Sequence, residues 1–194
     1  MKPAQRLSLK AVIAACTILL LTGLLAVPAG LSAQTRALSG SEYQVKAGFI
    51  YNFAKFVEWP QGTFNHDNDP LILCIVSNNP ESDVFFSLNS KTVGGRKIQV
   101  RKYEDMKDIG TCHILFLDSI DKTLIQEGLK TVRDRSVLTI SHIKGFTQQG
   151  GIINFFIEEG RLRFEVNLDA ARRCGLKLGS QLLVSAEIIA REQK

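Results

Sequence analysis

The chain has 194 residues, 45% of them hydrophobic and 22% charged, with 24 basic against 19 acidic side chains and a net charge of +5. That composition excludes a disordered tail or a low-complexity polymer and suits a domain with its own core. The basic excess comes without a Lys/Arg run or aromatic–basic interleaving, so nucleic acid is not an expected partner.

Lys2, Arg6 and Lys10 open the chain with no acid among them, and an apolar run follows from Ala11 to Val27. Pro28, Ala29 and Gly30 close that run, and Leu31-Ser32-Ala33 offers an A-x-A-like cleavage site. Basic, then apolar, then small is the plan of a secretory signal. The expectation is a signal over residues 1–33, cut after Ala33, and a single domain over 34–194. An uncleaved anchor is the alternative, since the same run could just span a bilayer. Ile13-Ala14-Ala15-Cys16 looks like a lipobox, but the apolar run continues well past Cys16.

Export leaves Cys74, Cys112 and Cys174 in an oxidising compartment, where one bridge and one leftover thiol are expected. Counting alone leaves the pairing open. No pair has CxxC spacing, which disfavours zinc and thioredoxin-like chemistry.

Residues 34–40, polar and small, read as a loose lead-in. From Ser41-Glu42, apolar residues recur at Tyr43, Ala47, Ile50, Ala54 and Val57, with Phe49, Phe53 and Phe56 widening the stripe. That spacing predicts a buried amphipathic helix, ended by Trp59-Pro60 because proline disfavours a helical residue before it. A polar loop follows over Gln61 to Asp69. Leu71 to Val76 is a continuous apolar run, as expected of a strand covered on both faces. Pro80, Glu81 and Asp83 open a short helix. Gly94-Gly95 marks a turn, and Lys97 to Tyr103 alternates like an edge strand. His113 to Leu117 and Val137 to Ile140 are two more buried strands, separated by a helix from about Asp121 to Val132.

Strand–helix alternation over 71–140 predicts an α/β fold with a central, mostly parallel sheet flanked by helices, a Rossmann-like three-layer plan. Gly151 to Ile157 and Arg161 to Val166, joined by Glu158-Glu159-Gly160, predict a C-terminal β-hairpin. A final helix is expected over Ser180 to Ala190.

Catalytic signals are absent. His66, His113 and His142 are scattered, and Cys112-His113 would point to opposite faces of a strand. His113 reads as a satisfied, half-buried histidine. There is no nucleophile elbow, Walker loop or dinucleotide fingerprint. Gly94-Gly95-Arg96-Lys97 precedes a strand rather than a helix, so it reads as a turn and not a phosphate cradle. A nucleophilic Cys174 has no assignable base. Trp59, at a helix–loop junction, is the aromatic residue best placed to anchor a partner. Binding therefore outranks catalysis, and neither metal nor cofactor is expected.

Several segments together resemble the YfiR family of periplasmic proteins. They are Tyr43 through Pro60, the strand bearing Cys74, Cys112 through Phe116, Val137 through Ser141 with Gly145-Phe146, Gly150 through Phe155, and Arg163 through Asn167. Ala170-Ala171 and Gly175 through Leu178 complete the set. The resemblance implies a periplasmic, non-enzymatic regulator that contacts the periplasmic sensor region of an inner-membrane diguanylate cyclase or another membrane sensor. It implies less cyclic di-GMP and less biofilm, release by an outer-membrane lipoprotein or a redox change, and a homodimer. It places the disulfide at Cys74 and Cys112, leaves Cys174 free, and finds no counterpart here of a second bridge known in some relatives. Trp59, Phe155, Arg163 and Glu165 are the expected contact residues. The competing expectation is a periplasmic small-molecule module for a nucleotide or aromatic metabolite, with its pocket at the carboxyl ends of the strands.

Overall fold

The computed structural model describes the backbone of residues 30–189 and the side chains of residues 42–188. The expected signal up to residue 29, Cys16 within it and Ala190 of the expected final helix lie outside the described residues. The chain divides into two compact units, Met1–Leu38 and Ser39–Lys194, and the packing below is that of the second.

The elements in order are α1 (Gly30–Phe56), β1 (Val57–Glu58), β2 (Leu71–Ser77), a 3-10 helix (Pro80–Leu88), β3 (Thr92–Val93), β4 (Arg96–Tyr103), β5 (Ile114–Asp118) and α2 (Lys122–Thr131). They continue with β6 (Leu138–Ser141), β7 (Ile153–Glu158), β8 (Arg161–Asn167), α3 (Leu168–Arg173), β9 (Lys177–Leu178), α4 (Ser180–Val184) and β10 (Glu187–Ile189). One eight-stranded sheet has the order β10-β8-β7-β6-β5-β2-β4-β3. β4, β2, β5, β6 and β7 are parallel, β3–β4 and β7–β8 are antiparallel hairpins, and β10 runs parallel to β8.

Strand alternation sorts the core into two layers. Leu71, Leu73, Ile75, Phe116, Ile140 and Phe155 pack beneath α1 and the 3-10 helix. Ile72, Cys74, Val76, Leu115 and Leu117 pack against Ile125 and Val132 of the α2 segment and against Phe146. Both faces are covered, which is why these strands read as unbroken apolar runs. Phe49 and Phe53 of α1 meet Phe155 and Phe164, with Phe53 lying edge-on to Phe164 at 4.7 Å. Such ring pairs add about 0.5–1.5 kcal/mol each beyond the area they bury.

Local chemistry accounts for the turns. Gly94 and Gly95 (φ 56° and 83°) and Glu159 and Gly160 (φ 50° and 72°) close the two hairpins, as two-residue turns with both central residues at positive φ do. Asn79 caps the 3-10 helix by accepting from the Glu81 N–H, and Asp121 caps α2 by accepting from the Thr123 N–H. Gly128 lets α2 close on β5, where a Cβ would stand 2.9 Å from the Leu117 methyls.

Three expectations are corrected. Residues 34–40 are helical, because Gln34, Arg36, Ala37 and Leu38 are good helix formers. The helix stops at Phe56, short of Trp59-Pro60. Val57-Glu58 instead pair with Leu178-Lys177, and the Gly179 N–H donates to the Phe56 carbonyl at 2.7 Å. The final helix ends at Val184, and Glu187–Ile189 add a strand beside β8, where β-branched isoleucines suit a ladder.

The crossover from β6 to β7 has no regular helix. It is built on Phe146, fully buried, whose ring lies where a side chain on Gly151 would stand, 2.1 Å from a Cβ there. Gly151→Ala is therefore expected to displace the ring and cost about 1–3 kcal/mol. Urea denaturation measures this, and an unchanged midpoint would show that the crossover adapts freely.

Candidate functional site

The carboxyl ends of β2, β5 and β6 meet one turn of α1 in a buried polar cluster. β2 ends in Ser77, β5 in Asp118, β6 in Ser141 followed by His142, and α1 supplies Tyr43 and Lys46. Tyr43 donates its phenol hydrogen to Asp118 Oδ1 at 2.7 Å, and Ser77 donates to Oδ2 at 2.5 Å. Asn79 donates to the Tyr43 oxygen at 3.0 Å. His142 Nε2 stands 3.4 Å from Asp118 Oδ1. Lys46, only 2% exposed, donates to His142 Nδ1 at 2.8 Å and pairs with Glu42 at 2.7 Å. Its ammonium also lies 4.7 Å from the centre of the Tyr43 ring.

These contacts fix protonation states. A lysine ammonium has no lone pair, so His142 Nδ1 must accept and the imidazole proton sits on Nε2, facing Asp118. Burial, and then the Lys46 charge, push the His142 pKa below its ordinary value, against the pull of Asp118 and Glu42. Burial and the hydrogen bond to Asp118 raise the Tyr43 phenol, keeping it a donor. The cluster thus clamps α1 onto the sheet through a satisfied carboxylate and a paired lysine. No group of three or more His, Cys, Asp or Glu among the described residues is disposed to hold a metal.

Beside the cluster, the hairpin end turns an apolar face outward. Phe155, Ile157 and Leu162 share a strand face, and with Glu42, His142 and Phe156 they line a depression of about 250 Å³. Ile157 is 57% exposed, and Val45 on α1 is 44% exposed. Arg163 and Glu158 pair at 2.9 Å near the turn.

The residues expected at a contact surface fare differently. Arg163 is exposed. Glu165 is half-buried and accepts from Thr147 at 2.6 Å and from Asn154 at 3.2 Å, tying the crossover to the hairpin. Trp59 is half-buried edge-on to Phe64, and its indole N–H is buried without an acceptor among the described residues. Phe155 requires correction as a contact residue. It is fully buried, because strand alternation puts it with Ile153 on the face under α1, where it packs on Phe49 and Phe53.

Cys74 and Cys112 form a disulfide, with Cα atoms 5.9 Å apart, joining the middle of β2 to the residue pair that leads into β5. Cys174 is a half-buried free thiol whose pKa burial raises. His113 is a core histidine. Its Nδ1 accepts from the Ile72 N–H, its ring stacks on Phe64, and burial lowers its pKa to about 4.

Neither composition nor any motif marks Tyr43, Lys46, Ser77, Asp118 and His142 as a group. Two signals in the sequence point to them. Lys46 falls on the apolar stripe three residues after Tyr43, and polar residues directly follow apolar runs at Ser77, Asp118 and Ser141-His142.

A family model described as YfiR/HmsC-like matches residues 43–187. The chain belongs to the YfiR/HmsC-like family. The match begins at Tyr43 of the buried cluster and runs through the hairpin to the first residue of β10, so of the residues just described it leaves out only Glu42. This family is one of regulatory rather than catalytic domains, and its members work in the periplasm with membrane signalling proteins. Among the described residues no helix is long and apolar enough to cross a membrane.

Proposed function

We propose that this YfiR/HmsC-like chain is exported by its N-terminal segment and restrains an inner-membrane diguanylate cyclase by contacting the cyclase's periplasmic sensor region. Family membership supports the regulatory role, and the exposed Ile157 beside the half-buried Leu162, with Val45 exposed on α1, is the observation that favours a protein contact. Exposed apolar side chains with charge beside them are what a docking partner desolvates; here Glu42 lines the same depression, while Glu158 and Arg163 pair on the other face of the hairpin. The restraint works by population shift, since only a regulator that prefers the inactive cyclase conformation can hold it there. Trp59, Arg163 and Glu165 are proposed to flank the contact, and a homodimer and release by an outer-membrane lipoprotein belong to the same reading.

Cellular cyclic di-GMP tests this. Deleting the gene is expected to raise the level, and restoring it is expected to lower the level only when residues 1–33 are present. Ile157→Asp should fold normally yet fail to restore, because a central apolar contact is worth about 2 kcal/mol or more. A level unchanged by deletion, under conditions where the gene is expressed, would refute the proposal.

A further inference from the structure

A second cavity, of about 490 Å³, lies at the opposite edge of the sheet from the buried cluster. α2 runs back from β5 and ends where β6 begins, and α3 follows the antiparallel strand β8, so both helices finish at the amino-terminal edge of the parallel strands. Between those ends the wall is formed by Lys130 and Arg133 on one side and Arg173 and Cys174 on the other, with Thr139 and Gly150 between them.

The charge of that wall is one-sided. Lys130, Arg133 and Arg173 bring three cations, and no lining residue is acidic. None of the three side chains makes an ion pair or hydrogen bond among the described residues, although acids are available elsewhere, as Arg172 shows by pairing with Asp169. A helix C-terminus rewards a nearby cation, which explains one basic residue at each helix end. It does not explain three exposed cations converging on one hollow, whose summed potential draws a counter-anion into it. Thr139 adds an independent sign. It is 3% exposed, its oxygen accepts from the Ile152 N–H, and its own hydrogen has no acceptor among the described residues. A buried hydroxyl donor in the wall of a basic cavity lacks only an acceptor. Leu129, Val132 and Ala170 supply an apolar patch beside the charges, and the thiol of Cys174, raised by burial, adds no competing negative charge.

We propose that this cavity binds a small organic polyanion, its phosphate or carboxylate groups held by Lys130, Arg133 and Arg173 and its carbon body resting on Leu129, Val132 and Ala170. The site is separate from the apolar face at the hairpin end and does not depend on the cyclase reading. Arginine suits bidentate capture of either oxyanion, and lysine adds a mobile point charge.

Titration calorimetry of the purified protein with pyrophosphate, citrate and, as a neutral control, glucose tests the site at low ionic strength. Saturable binding of pyrophosphate, citrate or both, weakening with added salt, is expected, and which anion binds tells phosphate from carboxylate preference. Arg133→Gln/Arg173→Gln should weaken that binding by about tenfold or more, the loss expected of charge-assisted hydrogen bonds. The matched variant Lys122→Gln/Lys144→Gln, which removes two exposed cations elsewhere, should leave it unchanged. If neither anion binds better than glucose, or if the two double variants weaken binding equally, the site does not exist.

Discussion

Removing the Cys74–Cys112 bridge is expected to lower stability by about 3–4 kcal/mol in the chain-entropy account, in which cross-linking restricts the unfolded chain. The two cysteines are 38 residues apart in sequence, so the bridge closes a loop that contains the 3-10 helix, β3 and β4. Without it, the pairing of β2 with β5 must be found by an unconstrained chain. The comparison to make is urea denaturation of the oxidised protein against Cys74→Ala/Cys112→Ala, which avoids leaving one buried thiol alone. A much lower midpoint is expected for the variant, while Cys174→Ser should shift it little because that thiol bridges nothing. Equal midpoints for the oxidised protein and the double variant would mean that the covered apolar strands alone hold the register.

Asp118→Ala should cost about 2–5 kcal/mol, because it leaves two buried hydroxyl donors without an acceptor at about 1–3 kcal/mol each. The Tyr43 and Ser77 hydroxyls would lose their acceptor, and the His142 Nε2 hydrogen would lose the carboxylate it faces. Asp118→Asn keeps one acceptor oxygen and should cost less. The same cluster makes stability pH-dependent, with a determinate sign. His142 faces Lys46 and Glu42 from α1 and Asp118 from β5, with the Phe116 ring against it, and its folded pKa is depressed. His113, in the core, is held neutral down to about 4. Between their folded values and the unfolded value near 6.5, the unfolded chain binds more protons, so stability rises with pH. The contribution is fully present above about pH 6.5 and is lost as pH falls toward 4. Chemical denaturation at about pH 7, 6 and 5, one unit apart on the scale of these titrations, should give falling midpoints. His142→Phe, unable to charge, should flatten part of that fall, and an unflattened curve would remove His142 from the account.

The hairpins and most strands were legible because their signals are local. Gly94-Gly95 and Glu159-Gly160 fit the positive φ of tight turns, and unbroken apolar runs at Leu71–Val76 and His113–Leu117 announce strands covered twice. The ends of α1 were less legible. Its stop at Phe56 depends on a partner strand over a hundred residues away, Lys177–Leu178, which competes with helical continuation for Val57 and Glu58. The last segment shows the same limit. Leu182, Leu183, Ala186 and Ile189 fit a helical stripe, yet β8 had a free edge, and pairing Glu187–Ile189 along it satisfies more backbone than an isolated final turn could.

The sequence by itself determined the class of this protein. Its apolar periodicities set a parallel α/β sheet with a terminal hairpin, and the segments from Tyr43 onward carried the resemblance to the family to which the chain belongs. Only the tertiary structure decided where polar and charged groups meet. Tyr43, Ser77, Asp118 and His142 are spread over a hundred residues and carry no shared motif, and they converge because parallel strands end at one edge of a sheet. Lys130, Arg133 and Arg173 converge at the other edge because two helices finish there. Burial is likewise a property of the packed sheet. Phe155 and Ile157 lie two residues apart on the same strand face, yet one is sealed under α1 and the other stands open to solvent.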